Sequence, residues 1–104
     1  MQFYENFTGT TLIAMSDIGF CPPEGLEEFV GGDNLRWPHG RFPLNTSGGN
    51  LAEAYIHGFQ LVNEAVRQIR GQSTCQVKDV ELSLSVAGPG TPPSSAILFA
   101  KSDS

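Results

Sequence analysis

The aromatic and thiol side chains able to carry acid–base or nucleophilic chemistry are few here: two Tyr, two His and two Cys in 104 residues. Tyr55 and His57 stand close together in "NTSGGNLAEAYIHGF", residues 45–59, where a polar glycine turn runs into an apolar stretch. A tyrosine hydroxyl serves as acid, base or hydrogen-bond donor once neighbouring donors or cations bring its ordinary pKa, near 10, towards the working pH. Gly48 and Gly49, just ahead of a helix, could offer backbone N–H groups to an anion or oxyanion, and so could Gly88 and Gly90 in "GPG". His57 follows Glu53 by four residues, the spacing of an ordinary pair on a helix surface. His39, in "WPHG", has no Asp, Glu or Cys spaced as a co-ligand, and Cys21 and Cys75 show neither a CxxC pattern nor a Cys/His pairing. No metal site is expected; both cysteines read as reduced thiols, which fits a cytosolic chain.

These residues must be held by a small number of elements. Residues 8–17 can form a short helix, with Thr8 or Thr10 as cap and Gly19 as stop. Residues 19–49 are crowded with Gly, Pro, Asn and Asp, and a connection this long in a compact domain is usually functional or packed on a partner. Within it "PPEGLEEFV" allows a turn or two of helix ended by Gly31 and Gly32, and "RFPLN" reads as a short strand or an extended lead-in, since Pro43 restricts Phe42 to extended angles. Residues 51–70 carry Leu51, Tyr55, Phe59, Val62, Val66 and Ile69 at three- and four-residue intervals, predicting one amphipathic helix that ends at Gly71. On that stripe Tyr55 could equally be a core residue whose hydroxyl finds one partner.

Two strands are expected next. "VKDVELSLSVAG" alternates Val80, Leu82, Leu84 and Val86, read as inward, against Glu81, Ser83 and Ser85; "SAILFA" is a short apolar run. The order of elements gives an α/β class, with helices packed on a short mixed sheet. Two or three strands rarely form a stable sheet alone, so further strands are expected from elsewhere.

Composition narrows the function. The chain has the size of one domain, a formal net charge of −5, and six scattered Lys and Arg residues, which provide no electrostatic footprint for nucleic acid. No apolar run reaches the roughly 18–20 residues of a membrane span. Charged residues are only 16% of the chain, light for a free-standing domain and consistent with surface reserved for contact.

With the motifs laid out, a resemblance becomes visible. "NTSGGNLAEAYIHG", residues 45–58, resembles the second signature of the thiolase superfamily: Asn, two variable residues, Gly-Gly, a variable residue, an aliphatic, a small residue, then Gly-His-Pro. Asn45, Gly48, Gly49, Leu51, Ala52 and Gly58 fall on it, while Ala54, Tyr55 and Ile56 stand in the Gly-His-Pro places. "YENF", residues 4–7, resembles the Asn-Glu-Ala-Phe motif with Tyr4 in the asparagine place. "VAGPG", residues 86–90, resembles the Cys-x-Gly-Gly-Gly turn with Val86 in the cysteine place, and "SSAILFA" resembles the last strand. "NTSGGNLAEAY" and "EAVRQIRG" are most similar to thiolase-like lipid-transfer proteins, relatives of the sterol-carrier-protein thiolases.

The resemblance implies that residues 1–104 form a single partial thiolase C-terminal domain, the family's N-terminal half being absent. It also implies an acyl-CoA thioester as substrate and no covalently bound cofactor. Some members of the group are aldolases that cleave steroid-derived CoA thioesters beside an OB-fold partner protein; others are inferred acyltransferases. Lacking the nucleophile's half, with Tyr55, Val86 and Tyr4 replacing histidine, cysteine and asparagine, the segment alone is not expected to run ordinary thiolase chemistry. Retro-aldol cleavage asks only for a base and oxyanion donors, roles that the resemblance gives to Tyr55 and Tyr4 and to Gly48, Gly49, Gly88 and Gly90. A homo-oligomer, or a complex with a chain supplying the N-terminal half, is then implied. The competing reading is a non-catalytic thiolase relic or a partner- or lipid-binding module.

Overall fold

Alternation along the strands decides which layer each sheet face meets. The structure is a computed structural model that describes residues 1–53, 56–88 and 94–102. Strand β1 (Gln2–Phe3) pairs in parallel with β2 (Leu82–Ala87), Phe3 opposite Val86, and β2 pairs antiparallel with β3 (Ser95–Ala100), Leu84 opposite Leu98. The result is a mixed three-stranded sheet in the order β1-β2-β3, as the α/β expectation required.

The face bearing Phe3 and Val86 meets Met15 of helix α1 (Thr8–Asp17), and these three side chains are buried together. Around them the 19–44 segment is held by rings instead of regular structure. Phe20, Phe29 and Phe42 pack in tilted and edge-on pairs with centroids 5.4 to 5.9 Å apart, and Phe20 also approaches Phe3. Such pairs contribute about 0.5–1.5 kcal/mol each beyond the apolar area they bury. A 3-10 turn (Pro23–Gly25) and α2 (Leu26–Val30) occupy the expected helical stretch, and 41–45 forms no strand: it bends at Arg41 and Phe42 and ends on Asn45 at φ 49°. Helix α1 matches its expected bounds, but neither threonine caps it: Asn6 Oδ1 accepts the Phe7 N–H, and the Thr10 and Thr11 hydroxyls donate to Phe7 O.

The opposite face carries Gln2, Ser83 and Ser85, all buried, and is covered by α4 (Phe59–Arg70). This corrects the expectation that the serines of β2 face water. Along β2 both faces are covered apart from Leu82, 63% exposed, whereas the edge strand β3 leaves Ile97 and Leu98 open. The serine face is polar because the helix above it is polar: the buried side of α4 presents Gln60, Glu64 and Gln68 beside Leu61 and Ala65. Glu64 Oε1 accepts from the Thr46 and Ser73 hydroxyls and from Gln68 Nε2, at 2.7, 2.5 and 3.0 Å. Gln68 also donates to Cys75 O and accepts the Val77 N–H, tying the 73–77 segment to the helix.

The predicted 51–70 helix is divided. Four residues form α3 (Gly49–Ala52), and α4 starts only at Phe59. Glu53 is extended, and His57 and Gly58 adopt left-handed angles, φ 53° and 98°, which an α-helix cannot contain. The stripe therefore does not run through Leu51 and Phe59 into the core: they are 93% and 70% exposed. The helix on which Glu53 and His57 would pair therefore does not exist, and Glu53 lies 3.7 Å from Arg67. The Met1 α-amino group donates to Pro43 O, and burial pushes its pKa down to about 6, the Glu64 carboxylate acting in the opposite sense.

Candidate active site

Parallel strands β1 and β2 end side by side, and the residues just past their ends meet the turn that starts α4. Tyr4 follows β1 directly, is half-buried, and donates its N–H to Val86 O at 2.9 Å. A Cβ placed on Gly58 would lie 3.5 Å from both the Tyr4 ring and the Ala87 Cβ. Tyr4, Gly58 and the Ala87–Gly88 exit from β2 thus share one location, at the carboxyl ends of the strands where α/β sheets place their ligands.

Asn45 fixes the outer edge of β1. Its amide grips both backbone groups of Phe3, accepting the N–H at 2.8 Å and donating to the carbonyl at 3.0 Å, so a side chain completes the strand's ladder. The same Nδ2 also donates to Glu5 Oε2. Glu5 Oε1 accepts the Asn50 N–H at 2.7 Å, joining the end of β1 to the first turn of α3. Gly49 is required by that approach: a Cβ there would sit inside the Glu5 carboxylate, and its φ is 63°.

Among the predicted site residues, then, Tyr4, Gly49 and Gly88 fall in one neighbourhood, with Gly48 next to Gly49 in the turn. Within that turn the Gly48 N–H donates to Asn45 O, and the Gly49 N–H reaches the Ser47 hydroxyl at 3.4 Å. Tyr55 and Gly90 lie outside the described residues. His57 is exposed next to Gly58, while Cys21 follows α1 and Cys75 lies in the segment after α4, both half-buried and free. Among the described residues no three His, Cys, Asp or Glu side chains gather as a metal site.

Sequence reasoning missed Glu5, Asn50 and Gln60. Gln60, at the start of α4, donates to Asn50 Oδ1, leaving Asn50 Nδ2 and Gln60 Oε1 buried without hydrogen-bond partners. The signal for Glu5 was available in "YENF", where an acidic residue follows Tyr4 at the very end of a buried strand.

A mixed α/β domain whose glycine turn and strand ends converge on a tyrosine has the architecture of a thiolase C-terminal domain. The chain belongs to the thiolase C-terminal domain-like family, which it matches over residues 1–100. It is 45% identical over 95 residues to a 17-hydroxy-3-oxo-4-pregnene-20-carboxyl-CoA lyase of Mycobacterium tuberculosis, covering 91% of this chain and 24% of that protein. With a steroid side-chain-cleaving aldolase of Thermomonospora curvata it shares 44% identity over 97 residues, 93% of this chain and 25% of the relative. A solved Ltp2-ChsH2(DUF35) aldolase superposes with a TM-score of 0.86 at 42% identity, covering 98% of this chain and 26% of that one. The chain thus spans about a quarter of the length of the proteins it matches. No described helix is long and apolar enough to cross a membrane.

Proposed function

We propose that the chain is the C-terminal segment of a thiolase-like enzyme that cleaves a carbon–carbon bond in a β-hydroxyacyl-CoA thioester by a retro-aldol reaction, in the breakdown of steroid side chains. The observation that carries this reading is the 44–45% identity, over more than nine-tenths of the chain, to two proteins named for that cleavage. The site's chemistry agrees with it. Val86 stands where ordinary thiolases have their second cysteine, and Cys21 and Cys75 lie in other segments, so Claisen-type acyl transfer lacks a thiol at that place.

In the proposed reaction a base takes the β-hydroxyl proton and that oxygen becomes a carbonyl. The Cα–Cβ bond breaks, and its electron pair passes into the thioester enolate, which is protonated at Cα on release. Tyr55 is assigned the acid–base role. Tyr4, at the strand end, and the turn of Gly88 and Gly90 are assigned to the thioester oxygen. Gly48 and Gly49 direct their N–H groups at Asn45 and Ser47, so they would join the oxyanion hole only if the turn re-aimed them. The rest of the pocket is assigned to the N-terminal half of the enzyme, in the same polypeptide or another. A partner protein with an OB fold, and association of copies, complete the proposed assembly.

The test is Tyr55→Phe in the assembled enzyme. Turnover should fall about 10²-fold or more with the fold retained, as read by circular dichroism, because a general acid or base contributes that much. Unchanged turnover would reduce Tyr55 to packing and favour the non-catalytic reading.

A further inference from the structure

We propose that Glu5 is a positioning residue: its carboxylate clamps the Tyr4 end of β1 to the Asn45–Asn50 turn and so fixes where Tyr4 stands in the site. The proposal rests on the role given to Tyr4 above. Three observations converge on it. Glu5 Oε1 takes the Asn50 N–H at 2.7 Å, and Glu5 Oε2 takes the Asn45 amide that already holds both backbone groups of Phe3. Gly49 leaves the space that the carboxylate fills, since a Cβ there would collide with it. Tyr4, the residue between Phe3 and Glu5, is thus gripped from the turn on one side and by Val86 O on the other.

The clamp also reassigns the glycine turn. The anion seated on the first turn of α3 is the protein's own side chain, and the glycine of the signature at position 49 serves that carboxylate. Gln at position 5 has nearly the same shape. With its oxygen kept on the Asn50 N–H, however, its NH2 would face the Asn45 NH2, and two donors cannot pair. The strand end is then released without a change in volume. Displacement of a site group by about 1 Å can cost up to 10²-fold, so a partial release should cost on the order of 10-fold.

The experiment compares wild type, E5Q, Y4F and E5Q/Y4F in the complete thiolase-like enzyme with its partner, on a β-hydroxyacyl-CoA. E5Q should lower kcat on the order of 10-fold with KM nearly unchanged, and Y4F should lower kcat as well. In the Y4F background E5Q should add little, because the group being positioned is gone. Gly49→Ala, which expels the carboxylate by bulk without removing its charge, should reproduce the kcat loss in the fraction of enzyme that circular dichroism and thermal melts show to be folded, and the same folding check is applied to E5Q. Wild-type kcat in both E5Q and Gly49→Ala would overturn the clamp. Full additivity of E5Q and Y4F would overturn its action through Tyr4. Unchanged turnover in Y4F alone would sink the reading of Tyr4, and an E5Q enzyme still impaired beside it would show that Glu5 acts elsewhere.

Discussion

Gly49 holds the densest information per atom in the chain. Its backbone is left-handed at φ 63°, and the space over its Cα is filled by Glu5. Both facts oppose a side chain, but they are separable. Gly49→Ala should destabilise the fold by about 2–4 kcal/mol, combining overpacking with the cost of a non-glycine residue in that region. In a Glu5→Ala background the same change should cost only the backbone share, about 1–2 kcal/mol. Denaturant midpoints of the four proteins form the cycle, and equal costs in the two backgrounds would mean that the carboxylate does not occupy the glycine's space. The relation spans 44 positions of sequence, from 5 to 49, which is why spacing could not reveal it. Tyr4 was singled out through the motif it departs from, and the structure places it at the strand end beside Gly58.

Helix α4 shows how periodicity can be read correctly and assigned to the wrong surface. The apolar residues do recur at helical spacing, yet the buried side of α4 carries Gln60, Glu64 and Gln68 beside Leu61 and Ala65. A sequence pattern counts apolar residues as inside, and it cannot foresee that Thr46, Ser73, Cys75 and Val77 will supply partners for a polar interior. The same limitation put the buried serines of β2 in water, although Leu84 and Val86 do face the core, and joined α3 to α4 across a segment that left-handed residues interrupt. By contrast, β3, α1 and the Pro23–Val30 turns were legible because local stops bound them. Glu64 tests the polar interior. Glu64→Ala removes the acceptor shared by two hydroxyls and one amide, leaving them buried, and should cost about 2–4 kcal/mol. Glu64→Gln keeps an oxygen in place and should cost less. A Glu64→Ala protein as stable as wild type in urea titration would show that water satisfies those donors instead.

At the scale of the whole molecule the fold leaves apolar surface without a covering layer. Phe59, Leu82 and Leu98 are 70%, 63% and 62% exposed, while the buried apolar residues among those described are only Phe3, Met15, Leu61, Ala65 and Val86. A domain of this size buries about 60–70% of its unfolded surface, so such a core leaves a narrow margin of stability. The relatives are about four times longer, which supplies the material for a covering layer. Phe59 distinguishes surface that stabilises this chain from surface that serves an assembly. It is the first residue of α4, where a carboxylate suits the positive end of the helix dipole, so Phe59→Glu costs the helix nothing. In the 104-residue chain the variant should keep its stability within about 0.5 kcal/mol and bind less of a hydrophobic dye. In the thiolase-like assembly proposed above the same variant should bury a charge against the N-terminal half and lower the thermal midpoint or dissociate the complex. If the complete enzyme tolerates Phe59→Glu unchanged, α4 keeps its outer face in water, and the missing layer must cover the sheet at Leu82 and Leu98.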